Sequence, residues 1–221
     1  RGDDVFPGKA VLSAGRRLTA SDIGALAAMG VLSVPVRKAP LAGILSTGDE
    51  LVPAEQAPGA GQVRDINGPM LAALCREAGA EVKNYGIFPD DPARLEAAVK
   101  RGAEECDLLL LSGGSSVGTK DAAARILEAQ GKILFHGLAV KPGKPTILGS
   151  VAGKPVFGLP GHPAAAFFIA QIFVRAALAA LTGQTLDPRS TPALLTEPVS
   201  ANHGRAELVA VRLLRRDGRL F

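Results

Sequence analysis

Apolar positions along the chain recur with two different periods. Leu41 to Ser46 is an apolar run ending in Thr47-Gly48-Asp49, and Glu81 to Phe88 and the four leucines Leu108 to Leu111 are further runs of strand length. Between them the spacing becomes helical. Met70, Leu71, Leu74, Cys75 and Ala78 follow Asn67 and Pro69; Leu95, Ala98, Val99 and Gly102 follow Asp91-Pro92; Ala123, Ile126 and Leu127 mark a third helix. Asn67 is predicted to cap the first of these, with Pro69 in its first turn and Gly79 as its stop. Gly131 is predicted to close the third. The uninterrupted leucines are the pattern of a central parallel strand covered on both faces. Alternating strands and helices of these lengths predict an α/β fold: an open, mostly parallel sheet with helices on both faces and right-handed crossovers.

The pattern changes towards the ends. Thr146 to Leu148 and Pro155 to Leu159 flank a hairpin-like turn over residues 149–153. A long helix is predicted from Pro163 to about Leu181, stopped by Gly183. At the start, Val5 to Leu12 and Val31 to Val36 suggest short strands around a capped helix, Ser21 to Met29. Pro188 to Phe221 has no helical period, and Asp217-Gly218 signals a hairpin turn with little chain behind it. The start at Arg1 and this late turn read as part of a longer protein, with 188–221 the beginning of a small β domain.

Composition narrows the function classes. In 221 residues, Lys+Arg number 25 and Asp+Glu 21, a net charge of +4 with no basic stripe for duplex binding. Trp is absent and Tyr occurs once, which removes the aromatic platforms of single-strand binders. No nucleic-acid partner is expected. Cys75 and Cys106 form no CxxC and have no His at ligand spacing, so a reducing, cytoplasmic setting is expected. Pro155 to Val174 lacks Asp, Glu, Lys and Arg, but Pro160-Gly161-His162-Pro163 interrupts it, so it reads as a buried strand-turn-helix and not a membrane span.

In open α/β sheets, ligands sit beyond the carboxyl ends of the strands. The residues predicted there are Thr47, Gly48, Asp49 and Glu50 after the first strand and Asp90 after the second. After the third come Ser112, Gly113, Gly114, Ser115, Ser116, Val117 and Gly118, with Asp121. Thr47 and Glu50 match a capping box, but Pro53 follows and no helix is there to cap. Asp91 is the natural N-cap before Pro92, which leaves Asp90 without that task. Asp121 could equally complement a helix dipole. Together Glu50, Asp90 and Asp121 suit a hard divalent cation such as Mg²⁺. The Gly113-Gly114 loop resembles an anion cradle, and a tight connection would explain it about as well. Lys141-Pro142-Gly143-Lys144-Pro145 projects two ammonium groups from a stiff loop, as anion binding requires. Pro160, Gly161 and His162 make a second rigid strand-to-helix turn.

These stretches, in this order, resemble the molybdopterin molybdenumtransferase family, the bacterial molybdenum insertases similar to the E domain of gephyrin. The anchors are Ser46-Thr47-Gly48-Asp49-Glu50-Leu51, Asp90-Asp91-Pro92, Ser112 to Gly118 with Asp121, Lys141 to Pro145, and Gly158-Leu159-Pro160-Gly161-His162-Pro163. The resemblance implies insertion of molybdate into adenylylated molybdopterin with release of AMP, a divalent metal, usually Mg²⁺, and an elongated homodimer. It also suggests a molybdopterin adenylyltransferase as a partner. By position it implies Glu50, Asp90, Asp121, Lys141 and Asp4 as functional residues. It divides the chain into 1–39, part of a dimerisation domain, 40–187, the α/β domain, and 188–221. Two departures stand out: Gly137 replaces a second functional lysine, and His162 replaces an Asn. The polypeptide alone is therefore expected to turn over slowly. Adenylyltransferases and competence-damage-type nucleotide pyrophosphatases share the α/β domain, and a gephyrin-like scaffold role is a further alternative.

Overall fold

The computed structural model describes residues 5–113, 120–184, 190–199 and 204–221. A six-stranded sheet forms its centre. In chain order the strands are β1 (Leu41–Thr47), β2 (Leu51–Val52), β3 (Val63–Arg64), β4 (Glu81–Phe88), β5 (Leu108–Gly113), β6 (Gly131–His136), β7 (Val140–Lys141), β8 (Ile147–Val151) and β9 (Lys154–Leu159). The sheet order is β4-β1-β5-β9-β8-β6. The first four strands are mutually parallel, and β8 runs antiparallel to both β9 and β6. The sheet is therefore mostly parallel, closed on one side by an antiparallel flank.

Helices α2 (Asn67–Glu77), α3 (Pro92–Glu105), α4 (Lys120–Gln130), α5 (Pro163–Ile169) and α6 (Arg175–Thr182) cover the sheet, with a π turn over Ala170–Val174 joining the last two. Side-chain alternation divides the apolar residues into two cores. Leu108, Leu110 and Phe157 face Leu71, Leu74, Ile169, Val174 and Leu178 on one side. Leu109, Leu111 and Val156 face Leu95, Val99, Ile126 and Leu127 on the other. The four-leucine run is at most 4% exposed, as a strand buried on both faces requires. The run Pro163–Thr182 is long and apolar enough to cross a membrane, yet its Ile169, Ala170, Val174 and Leu178 pack into the first core.

Several expectations are corrected. Asn67 does not cap α2: the N-cap position is Ile66, which makes no side-chain capping bond, and Asp65 just before it accepts from Gly68 N–H at 2.9 Å through Oδ1, while Asn67 turns inward. Gly131 does not merely end α4; it opens β6, and any Cβ there would overlap the Ser150 carbonyl. Val5 to Leu12 and Val31 to Val36 form no strands, since among the described residues no strand pairs with their backbone groups. Leu32 is 95% exposed. The helix between them, α1 (Ala20–Ala28), begins earlier than expected. Thr19 is its N-cap in a reciprocal box with Asp22. At the chain's end, β10 (Ala206–Glu207) pairs with β7, and β11 (Arg215–Arg216) pairs with β12 (Arg219–Leu220). The Asp217-Gly218 turn thus does receive a second strand. Both turn residues have positive φ, 47° and 74°, as a type I′ turn demands.

The amino ends of the parallel strands are closed by satisfied charges. Asp107 accepts from Leu41 N–H and from Lys154 Nζ, each at 3.0 Å, and these bonds hold its carboxyl below the usual range. Glu105, at the end of α3, accepts from Lys83, Tyr85 and Arg101, which lower it from 4.5 to about 2. A carboxyl lowered on folding stabilises the fold above its unfolded value and loses that contribution as pH falls. In thermal melts, the advantage of the native protein over Glu105→Gln is expected to be full above pH 4.5 and to vanish as pH falls to about 2. An advantage independent of pH would contradict this.

Candidate active site

The opposite, carboxyl rim is where the chain changes direction. After β1 the connection through α2 leads to one side, and after β5 the chain builds the other side. The β1/β5 boundary is therefore the topological switch point, the place where open α/β sheets bind ligands. Thr47 and Gly113 lie side by side there. Because β6 runs parallel to β9, through the antiparallel β8, the 137–146 connection emerges at the same rim. So do the turns after β4 and β9. All five motifs anchor at one edge of the sheet.

The geometry of the first loop depends on glycine. Gly48 has φ +149°, and the Glu50 carboxylate folds back over it, so that an added Cβ would lie 2.6 Å from Oε2. Gly113 has φ +152°, and its Cβ would strike the Thr47 carbonyl and come within 2.7 Å of Thr47 Oγ1. Gly113→Ala is expected to force β1 and β5 apart at the switch point. The expected loss of stability is roughly 2 kcal/mol or more, from backbone strain and overlap together. Denaturant titration measures it, and an unchanged midpoint would refute the close approach.

Polar residues collect beneath this rim. Among the described residues six polar or charged residues are buried, and four of them are Ser46, Thr47, Asn67 and Ser112. A fifth, Thr146, lies under the lysine loop, where its Oγ1 donates to Gly143 O at 2.7 Å. Asn67 Nδ2 donates to Ser112 Oγ at 2.8 Å and to Gly161 O at 2.9 Å, tying the end of β5 to the turn after β9. Its Oδ1 is buried without a hydrogen-bond partner. Ser46 Oγ donates to Asp65 Oδ2 at 2.6 Å. Of the six only Asp22, in the α1 capping box, lies elsewhere; buried polar groups cost stability unless satisfied, so their concentration here marks a place built for something other than stability. Ser46, Asp65 and Asn67 were not foreseen as site residues. The only sequence signal for Asn67 is a polar side chain at a helix start, which reads as a cap.

The acids are brought together in part. Asp49 Oδ1 accepts from Asp90 N–H at 3.0 Å, and Thr47 Oγ1 donates to Asp90 Oδ1 at 3.5 Å. The Asp90 carboxyl is raised, first by partial burial, then by the negative charges of Asp49 and Glu50. Thus Thr47, Asp49, Glu50 and Asp90 share one corner of the rim. Beside it a cleft of about 570 Å³ is lined by Gly48, Asp49, Leu51, Asp65, Pro69 and Ile87 among others. Asp121 lies in α4, with its side chain outside the described residues. Asp4, Gly114, Ser115, Ser116 and Gly118 lie outside them altogether.

The remaining residues stand further along the rim. Lys141 is on β7, which lies outside the six-stranded sheet and pairs with β10, and its ion pair is with Glu207 at 3.3 Å; among the described residues it makes none with the acids. Lys144 is exposed. The loop between them is held by Gly143, whose φ of +125° and contact with Ile169 exclude a side chain. Pro160 is buried, Gly161 receives the Asn67 amide, and His162 is the exposed N-cap position of α5 without a side-chain capping bond.

The fold and its switch point define an open, doubly wound α/β ligand-binding domain with an acidic, cation-attracting corner. Residues 43–180 match the family described as "Probable molybdopterin binding domain", and the chain belongs to that family. The molybdopterin molybdenumtransferase of Haemophilus influenzae is 36% identical over 183 residues, which are 83% of this chain and 45% of that protein. The chain thus spans under half the length of that curated relative. A molybdenum cofactor biosynthesis protein from Pyrococcus furiosus superposes with a TM-score of 0.74 at 32% identity, covering 99% of this chain and 68% of the other. A molybdopterin biosynthesis MoeA protein from Pyrococcus horikoshii superposes with a TM-score of 0.79 at 29% identity, covering 99% and 52% respectively.

Proposed function

We propose that this chain acts in molybdenum cofactor biosynthesis, inserting molybdate into adenylylated molybdopterin with release of AMP. The observation that carries the reading is the contrast between the two rims. Carboxylates at the amino rim are neutralised by Lys154, Lys83 and Arg101, whereas Asp90, at the carboxyl rim, is pushed up first by partial burial and then by the negative charges of Asp49 and Glu50. Among the described residues no cation pairs with these acids, and such a group at a switch point suits a ligand that brings positive charge. The names of the relatives supply the substrate class, and they favour the transferase over an adenylyltransferase, a pyrophosphatase or a scaffold.

A divalent cation such as Mg²⁺ fits the charge of this corner. Among the described residues no three carboxylate, His or Cys side chains form a ligand set, so Glu50 and Asp90 would need Asp121 to complete it. When bound, the cation would neutralise the phosphoanhydride and favour departure of AMP. The chain's own groups do the rest. Thr47 orients Asp90, the Gly48 and Gly113 turns let backbone approach the ligand, and Lys141 and Lys144 offer ammonium donors to oxyanions. A homodimer, an adenylyltransferase as upstream partner and a cytoplasmic site of action belong to the same proposal. The two unbridged, buried cysteines support the last of these.

The test incubates the purified chain with adenylylated molybdopterin and Mg²⁺, with and without molybdate, and quantifies AMP by chromatography. Release that depends on molybdate is expected. Release indifferent to molybdate, or adenylylation of free molybdopterin by ATP, would replace this reading with one of its rivals.

A further inference from the structure

The segment that ends the chain reaches the lysine loop. β10 runs parallel to β7 with Glu207 in register with Lys141. Ala206 N–H donates to Ala139 O and Leu208 N–H to Lys141 O, both at 2.8 Å, and Leu208 packs against the first core. On this support Glu207 Oε1 stands 3.3 Å from Lys141 Nζ, the glutamate side chain 22% exposed and the lysine 53%. The carboxylate is the more enclosed partner and the ammonium the freer one. A lysine meant only to attract anions has no use for a fixed acid beside it.

The size of the effect decides what the pair does. An oxyanion hydrogen-bonded to Nζ lies within about 6 Å of the Glu207 carboxylate. Two like unit charges at that distance lower affinity roughly threefold at the dielectric of water and roughly a hundredfold at an effective dielectric of 20. Holding the lysine stem in place works the other way, by about fivefold at most for an exposed pair. Repulsion prevails unless the ligand presents a proton or a cation to the carboxylate.

We propose that Glu207 is a specificity-determining residue of the rim: it turns Lys141 away from bare oxyanions and admits one that carries a proton or a bound cation. This rests on the reading of Lys141 as an oxyanion contact. A protonated oxyanion accepts from the ammonium and donates its O–H to Glu207, which a fully ionised one cannot do. A phosphate ester chelated to a divalent cation satisfies the pair in the same way.

Calorimetric titration of the whole chain at neutral pH tests this with sodium sulfate, sodium molybdate and sodium phosphate, of which only phosphate keeps a proton there. The native protein is expected to prefer phosphate to sulfate. Glu207→Gln keeps the backbone pairing of β10 and is expected to bind sulfate and molybdate about tenfold more tightly, erasing that preference. Glu207→Ala should shift them in the same direction. Lys141→Ala is expected to lose all three anions. Sulfate and molybdate binding in both Glu207 variants that is unchanged, weaker or undetectable overturns the role of Glu207, even where Lys141→Ala abolishes binding. Native-like binding in Lys141→Ala removes the underlying reading of the lysine. Tightening by Glu207→Gln that persists on a Lys141→Ala background overturns the pairing.

Discussion

Asp90→Asn is expected to lower molybdate-dependent AMP release by about 10²-fold or more while leaving the protein slightly more stable. The loss follows if, as proposed, Asp90 supplies a charge to the reaction, since groups of that kind contribute roughly 10²–10³ in rate. The gain follows from the raised carboxyl. A folded-state value above the ordinary 3.8 means that ionisation costs stability as pH rises through the window above 3.8. At neutral pH the native protein bears that cost and Asp90→Asn does not. Asp90 is exposed, so screening by solvent keeps the gain below about 1 kcal/mol. Melts across the acid range read it directly: the variant's advantage should appear above pH 3.8 and disappear below it. Added Mg²⁺ should raise the melting temperature of the native protein more than that of Asp90→Asn. A variant less stable than the native chain at neutral pH, and equally active, would show that the corner is structural.

The largest effect on the fold is expected from Phe157→Ala. Phe157 lies on β9, 2% exposed, in register with Leu110 on one side and Leu148 on the other. It fills the first core beneath the helices that carry Asn67 and the Gly161 turn. Truncation removes buried apolar area and leaves a cavity in a close-packed layer, for a loss of about 3–5 kcal/mol. For a domain of this size that corresponds to a fall in melting temperature of roughly 6–20 °C. Phe157→Leu should recover most of it, since the cavity term depends on volume. A loss under about 1 kcal/mol, measured by denaturant titration, would mean that the layer collapses around the gap.

Local patterns were readable because their causes are local. The leucine run, the Asp91-Pro92 helix start and the Gly183 stop depend on neighbours within one turn or one pleat, and all three stand where the periods place them. The strands expected at Val5 to Leu12 and Val31 to Val36 failed for the complementary reason. A strand is completed by another strand, and nothing in those residues says whether one is within reach. Asn67 shows the same limit at the site. Its composition and position are those of a cap, yet its amide bonds reach partners 45 and 94 residues away.

From the amino-acid order alone came the alternation of strands and helices, the double burial of β5, and the set of polar turns that an open α/β sheet must place at its carboxyl edge. These follow from side-chain periodicity and the handedness of crossovers, which act on the chain as it is written. Only the folded molecule decided which acids meet. Asp49 reaches Asp90 because β4 lies beside β1, and Lys141 faces Glu207 because the last segment returns to pair with the 137–146 connection. Strand order and register, not spacing along the chain, determine which charges stand together and therefore what the rim can bind.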